Sequence, residues 1–197
     1  MRIVAGKFKN KSLFLPKGVG IRPTSQKVKQ ALFNILGDRI VRATFLELFA
    51  GSGNIGLEAL SRGAKQAYFV EHNRKCIQAI EQNLNSLELK YHYAFKPEHS
   101  GQPAAAVILP WETQKAVDLL RKHKQKFELV FLDPPYHQVN LKNTLKNFNL
   151  CDILSPQSWV IIEHYQAGEA LGRLVGLELV CNRRYGETAL SFYQARL

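Results

Sequence analysis

Cysteine is scarce in this 197-residue chain: only Cys76, Cys151 and Cys181, far apart. They form neither a CxxC pair nor a zinc-ligand spacing. That excludes a disulfide scaffold and points to reduced thiols in a cytoplasmic setting. The six histidines are equally scattered, so no resident metal is expected. No apolar run approaches the roughly 18–20 residues that cross a bilayer. The opening Met1-Arg2-Ile3-Val4-Ala5-Gly6-Lys7 has no signal-peptide apolar core. No membrane association is therefore expected. Internal repeats and low-complexity linkers are missing too, and so is an exposed apolar interface stripe, which points to a monomer. Acidic residues are few, 16 against 27 Lys and Arg, leaving a net charge of +11.

That imbalance is local. Residues 1–42 carry ten basic side chains and one acid, Asp38, whereas the rest of the chain carries 17 against 15. A basic patch at one end is the electrostatic footprint of a polyanion. Nucleic acid fits better than an anionic membrane, because no amphipathic interfacial anchor is visible. The side chains expected on nucleic-acid phosphates are Lys7, Lys9, Arg22, Lys27 and Lys29. Residues 1–42 thus read as a basic nucleic-acid-binding extension and 43–197 as the main domain. A hydrophobic content of 46% is enough for one real core.

Apolar and basic residues partly alternate over 2–15, with a turn signal at Lys9-Asn10-Lys11, which predicts a two-stranded ribbon. Thr24 or Ser25 caps a helix with Val28, Leu32, Ile35 and Leu36 on one side, Lys27 and Lys29 on the polar side, and Gly37 at its end. Strands are expected at 44–50, 66–71, 105–109, 127–132 and 159–163. Helices are expected at 55–62, 74–87, 112–122 and 141–148. An antiparallel pair, 177–181 and 190–194, flanks the turn Tyr185-Gly186-Glu187-Thr188. Residues 90–104 read as a local insertion, in which 91–95 could itself be a strand. Strand–helix alternation predicts an α/β fold with a doubly wound, mostly parallel seven-stranded sheet and an antiparallel last strand.

The chain is organised around Phe127-Glu128-Leu129-Val130-Phe131-Leu132-Asp133-Pro134-Pro135-Tyr136. A short apolar strand stops abruptly, because neither proline can continue a sheet ladder. The carboxyl edge of an open α/β sheet is where ligands bind. There Asp133 and the Pro134 carbonyl present two acceptors beside the stacking face of Tyr136. This set suits the exocyclic amino group of an extruded base.

Gly51-x-Gly53-x-x-Gly56 follows the first strand and opens a helix, with Glu71 twenty residues beyond Gly51. Read literally, this is a dinucleotide fingerprint. Two features favour S-adenosylmethionine over NAD. Glu47, four residues before Gly51, suits a cationic sulfonium or ammonium group better than a pyrophosphate. Asp133 to Tyr136 also have no role in hydride transfer. On this reading Ala50, Gly51 and Gly53 line the cofactor, Glu71 holds the ribose hydroxyls and Trp111 covers the adenine.

The whole chain resembles the RsmD-type family of 16S rRNA guanine-N2 methyltransferases. The matching stretches are Arg2-Ile3-Val4-Ala5-Gly6, Arg22-Pro23-Thr24, Leu32-Phe33-Asn34, Leu48-Phe49-Ala50-Gly51-Ser52-Gly53, Gly56-Leu57-Glu58-Ala59-Leu60-Ser61-Arg62-Gly63-Ala64, Phe131-Leu132-Asp133-Pro134-Pro135-Tyr136 and Tyr185-Gly186. The resemblance implies a Rossmann-like class I methyltransferase fold with S-adenosylmethionine as donor. The implied acceptor is a guanine N2 in 16S rRNA or the assembling small ribosomal subunit. Glu47 stands where that family usually has Asp, and 90–104 has no counterpart. The same residues would serve adenine N6 equally well. An NAD enzyme and a non-catalytic RNA-binding module are the remaining alternatives.

Overall fold

The computed structural model describes residues 1–20, 24–95, 104–134, 150–165 and 174–196. The expected contacts Arg22 and Tyr136, and the helix expected at 141–148, lie outside them. The elements in chain order are α1 (Gln26–Leu36), β1 (Thr44–Leu48), α2 (Asn54–Ser61), β2 (Gln66–Val70), α3 (Arg74–Ser86) and β3 (Tyr91–Tyr93). Then follow β4 (Ala106–Leu109), α4 (Thr113–Lys122), β5 (Phe127–Leu132), β6 (Leu154–Tyr165), β7 (Leu177–Tyr185) and β8 (Thr188–Ala195).

All eight strands form one sheet in the order β3-β4-β2-β1-β5-β6-β8-β7. The pairs from β3 through β6 are parallel, whereas β8 runs antiparallel to both β6 and β7. The order reverses on either side of β1, which places the switch point between β1 and β5. Eight strands replace the expected seven. The extra one is β3, three half-buried residues pairing with β4 inside the stretch read as an insertion. Such a short polar edge strand (Tyr91-His92-Tyr93) carries almost no periodicity signal.

Burial on both faces explains the apolar runs of the central strands. On one face Phe45, Phe131, Ile161 and Phe192 pack under α1, α2 and α3. On the other, Leu46, Leu48, Leu132 and Ile162 pack with Ala116, Val117 and Leu120 of α4. Ser25 starts α1 by accepting from Val28 N at 3.2 Å, and Gly37 ends it at φ 52°. None of the described helices is long and apolar enough to cross a membrane. The edge strand β7 leaves Leu179 and Val180 about half exposed, beside the open Val175.

The N-terminal ribbon is reduced to a single antiparallel bridge, Arg2 to Ser12. The reason lies in its backbone donors, which leave the ladder for α2. Val4 N and Ala5 N donate to the Glu58 carboxylate at 2.8 and 3.0 Å, and Lys7 N to the Ser61 carbonyl at 2.7 Å. Gly6 lies so close to Ser61 that a Cβ would fall 1.9 Å from its carbonyl oxygen. Ile3 and Leu13 are buried in the same core as α1 and α2. Residues 1–14 are therefore held against α2 by both packing and hydrogen bonds.

Candidate active site

The glycine loop links β1 to α2. Phe49 takes a left-handed φ of 60°, Gly51 55° and Gly53 77°. Glycine holds the last two without strain, whereas Phe49 bears a cost of about 1 kcal/mol or more. Gly53 N closes the turn on the Ala50 carbonyl at 2.8 Å. Gly56 needs its missing side chain for a different reason. A Cβ there would sit 2.4 Å from Phe69 Cε1 and 2.9 Å from Glu47 Oε2, so α2 could not seat on β1 and β2.

Gly53, the residue before α2, has no side chain with which to cap it. Glu47 supplies the cap from β1: its two oxygens accept from Ile55 N at 3.1 Å and Gly56 N at 2.8 Å. Burial pushes its carboxyl up to about 8, against the lowering effect of those two N–H groups and of Lys29. Glu71, just beyond β2, holds the other side of the loop. Its Oε2 accepts from Gly51 N at 2.8 Å, and its Oε1 from His72 N and Asn73 N at 2.9 and 2.8 Å. Three of the roughly four acceptor positions of a carboxylate are thus committed to backbone. The one left on Oε2 is available to a ligand hydroxyl. His72, which the sequence reading passed over, lies 3.6 Å from both Glu71 and Glu112.

Ala50 and Gly53 are buried and Gly51 half-buried, so the predicted loop, Glu47 and Glu71 do come together. Trp111 joins that cluster through its backbone, sharing the Leu109 carbonyl with Glu71 N at 2.9 and 3.2 Å. Its half-buried ring stacks on Phe95 at 6.2 Å, with Lys115 Nζ 5.9 Å from its centre.

At the carboxyl end of β5, Asp133 is half-buried and Pro134 buried. Leu132 pairs with both Leu48 and Ile162, so Asp133 leaves the sheet between the end of β1, where the glycine loop begins, and Glu163 of β6. The cofactor loop and the Asp133-Pro134 corner therefore share one edge.

Lys7, Lys9 and Lys27 are exposed, as phosphate contacts must be. Lys29 is not, and its expected role on RNA is corrected here. Its side chain is wholly buried, with Nζ 3.1 Å from Glu58 Oε2 and donating to Arg2 O and Asn54 Oδ1 at 2.8 Å each. Burial lowers its pKa, while the Glu58 charge and hydrogen bond oppose the drop. The signal was present in the sequence: Lys29, Leu32, Phe33 and Leu36 share one helical stripe, so Lys29 is on the apolar face.

Several polar residues to which the sequence reading gave no site role tie the N-terminal segment to the site. Glu58, fully buried within an apolar helix, also accepts from Arg62 Nε at 2.8 Å. Asn83 of α3 donates to Phe14 O and Ser52 O, bridging the N-terminal segment and the glycine loop. Thr24 Oγ1 donates to Glu163 Oε2 at 2.7 Å, with both residues buried.

Residues 1–194 match the family model described as "Conserved hypothetical protein 95". The Bacillus subtilis chain named "Putative rRNA methyltransferase YlbH" is 35% identical over 198 residues, the whole of both chains. "Ribosomal RNA small subunit methyltransferase D" of Escherichia coli K12 is 32% identical over 163 residues, covering 83% of this chain and 71% of that one. Among solved structures, "Putative methyltransferase yhhF from Escherichia coli" superposes with a TM-score of 0.78 at 29% identity, covering 99% of this chain and 97% of that one.

Proposed function

The chain belongs to the RsmD-type methyltransferase family, and from that premise we propose that it transfers a methyl group from S-adenosylmethionine to the exocyclic N2 of a guanine in 16S rRNA. One observation carries the reading: the Asp133-Pro134 corner and the glycine loop occupy the same sheet edge, on strands paired through Leu48 and Leu132.

The residues present fit the cofactor. Glu71 has an acceptor position toward the loop for a ribose hydroxyl, and Gly51 and Gly53 allow close backbone approach. The Glu71 carboxylate stands beside the loop, where it favours a cation over a pyrophosphate. Glu47 acts by fixing α2 and the loop, since both of its oxygens accept backbone N–H groups. When bound, S-adenosylmethionine supplies an electrophilic methyl on a sulfonium centre.

An aromatic amino nitrogen is a poor nucleophile because its lone pair is delocalised into the ring. The Asp133 carboxylate and the Pro134 carbonyl, each accepting one amino hydrogen, hold that nitrogen pyramidal with its lone pair turned toward the donor. Tyr136 offers its ring to the face of the base. Most of the acceleration is then positional. Lys7, Lys9, Arg22 and Lys27 hold RNA phosphates without reading sequence. The protein acts as a monomer.

Nucleoside mass spectrometry tests the proposal. The full chain is incubated with small ribosomal subunits lacking base methylation and with S-adenosylmethionine carrying a labelled methyl. Labelled N2-methylguanosine is the expected product. Labelled N6-methyladenosine would move the acceptor to adenine, and an absence of label in rRNA would overturn the proposal.

A further inference from the structure

Glu163 belongs to none of the groups assigned so far. It lies near the end of β6, where Leu132 pairs with Ile162, so Glu163 stands level with Asp133 on the neighbouring strand. Strands lie about 4.8 Å apart. Side chains alternate along a strand. Phe131 and Ile161 both face the core under α1 to α3, so Glu163, two residues on along β6, projects from that same face, while Asp133 follows the last residue of β5 at its level. A second carboxylate therefore stands beside the first at the carboxyl edge.

Glu163 is only 4% exposed, between Ile162 and His164 and paired with Leu190 of β8. A buried carboxylate is costly unless donors meet it. Thr24 meets it: the hydroxyl donates to Oε2 at 2.7 Å across 139 residues of sequence. Asn54 Nδ2, at the start of α2, reaches the Thr24 carbonyl at 3.5 Å. Thr24, the residue before the cap of the basic helix, thus touches both Asn54 behind the glycine loop and the acid beside Asp133.

We propose that Glu163 is the specificity-determining residue for guanine, accepting the ring N1–H while Asp133 and the Pro134 carbonyl accept from the 2-amino group, with Thr24 as the positioning residue that orients it. This rests on the methyltransferase reading above. Guanine presents N1–H and the 2-amino group as adjacent donors along one edge, matching two carboxylates on adjacent strands. Adenine presents an unprotonated N1 next to its 6-amino group. A carboxylate facing that nitrogen sets acceptor against acceptor. A site built to bond a donor rejects the analogue that lacks it. A hydrogen bond to a charged group implies discrimination of about 10–100-fold.

The test uses 16S rRNA in small-subunit particles, with the target nucleotide first mapped in the wild-type reaction. Ligated rRNA then carries either guanine or 2-aminopurine at that position. The analogue keeps the 2-amino group but has a bare N1. The wild-type chain should methylate guanine about 10–100-fold faster than 2-aminopurine in kcat/KM. Glu163→Gln, whose amide can donate to a bare N1, should bring the two rates within about threefold. Thr24→Val should erode the preference, and Thr24→Ser should restore it.

S-adenosylhomocysteine affinity, measured alongside, shows that each variant is folded. If Glu163→Gln does not fold, the Thr24 pair decides the outcome through the same ratio. Equal slowing on both substrates, with the preference intact, would overturn the inference. So would a wild-type chain that treats the two alike. Failure of the underlying function shows differently, as no N2-methylguanosine from the wild-type chain on ordinary particles.

Discussion

Lys29 Nζ lies 3.1 Å from Glu58 Oε2, and both side chains are wholly buried. Breaking a buried pair from one side leaves a charge uncompensated, which costs about 3–5 kcal/mol. Glu58 would still have Arg62 and the N–H groups of Val4 and Ala5. Lys29→Met is therefore expected at the lower end of that range. Urea unfolding of the two proteins measures it, and an unchanged midpoint would refute the role given to the pair.

Asp133→Ala should reduce methyl transfer about 10²–10³-fold, the scale of losing a preorganised polar group at a reacting centre. S-adenosylhomocysteine affinity should stay within about threefold, because uniform ligand binding is not what Asp133 provides. A near-wild-type rate would remove Asp133 from the chemistry.

Gly56→Ala forces a methyl group toward Phe69 and the Glu47 carboxylate. Overpacking of this kind costs about 1–3 kcal/mol. The shift of α2 away from Glu47 should also weaken S-adenosylhomocysteine binding. Calorimetry reads both effects, and a variant that is destabilised yet binds the ligand normally would separate the loop from the helix seat.

The charge state of Glu47 gives a pH signature. Burial raises its carboxyl from 4.5 to about 8 in the folded protein. A group raised on folding contributes stability that is complete below its unfolded value and is lost as pH rises through the folded value. The wild-type chain should therefore lose stability relative to Glu47→Gln between about pH 4.5 and 8. Melting temperatures of both proteins across that window provide the comparison; parallel curves would contradict it.

Replacing the exposed Lys7, Lys9 and Lys27 together by Gln should weaken binding to 16S rRNA and flatten its salt dependence by about 2–3 in log–log slope, one step or slightly less per phosphate contact. S-adenosylhomocysteine affinity should not change. Filter binding at several salt concentrations reads the slope; an unaltered slope would place the RNA elsewhere.

The parallel sheet was legible because its central strands are buried on both faces and read as unbroken apolar runs such as Leu129-Val130-Phe131-Leu132. The glycine loop, Glu47 and Glu71 were legible because their spacing follows from the turn they build. Four things were not. Tyr91-His92-Tyr93 is too short and polar to announce an edge strand, and local alternation suggested a ribbon over residues 2–15 because it cannot reveal that Glu58 would claim the donors of Val4 and Ala5. Lys29 was misplaced for a related reason: a lysine suggests solvent, and only its position relative to Leu32 and Leu36 argues otherwise. The Thr24–Glu163 contact joins residues 139 apart, beyond the reach of any periodicity.

That separation bears on how the protein is made. Thr24 is synthesised 139 residues before its partner Glu163, and Phe14 is 69 residues ahead of Asn83. At about 5–20 residues per second, the first interval lasts about 7–28 s. Throughout it Thr24 lacks Glu163, whereas Glu58 and Asn83, which anchor residues 4–14, are made within the interval. The contact of Thr24 with β6 therefore forms only after most of the sheet has been translated, later than the anchoring of residues 4–14 on α2 and α3.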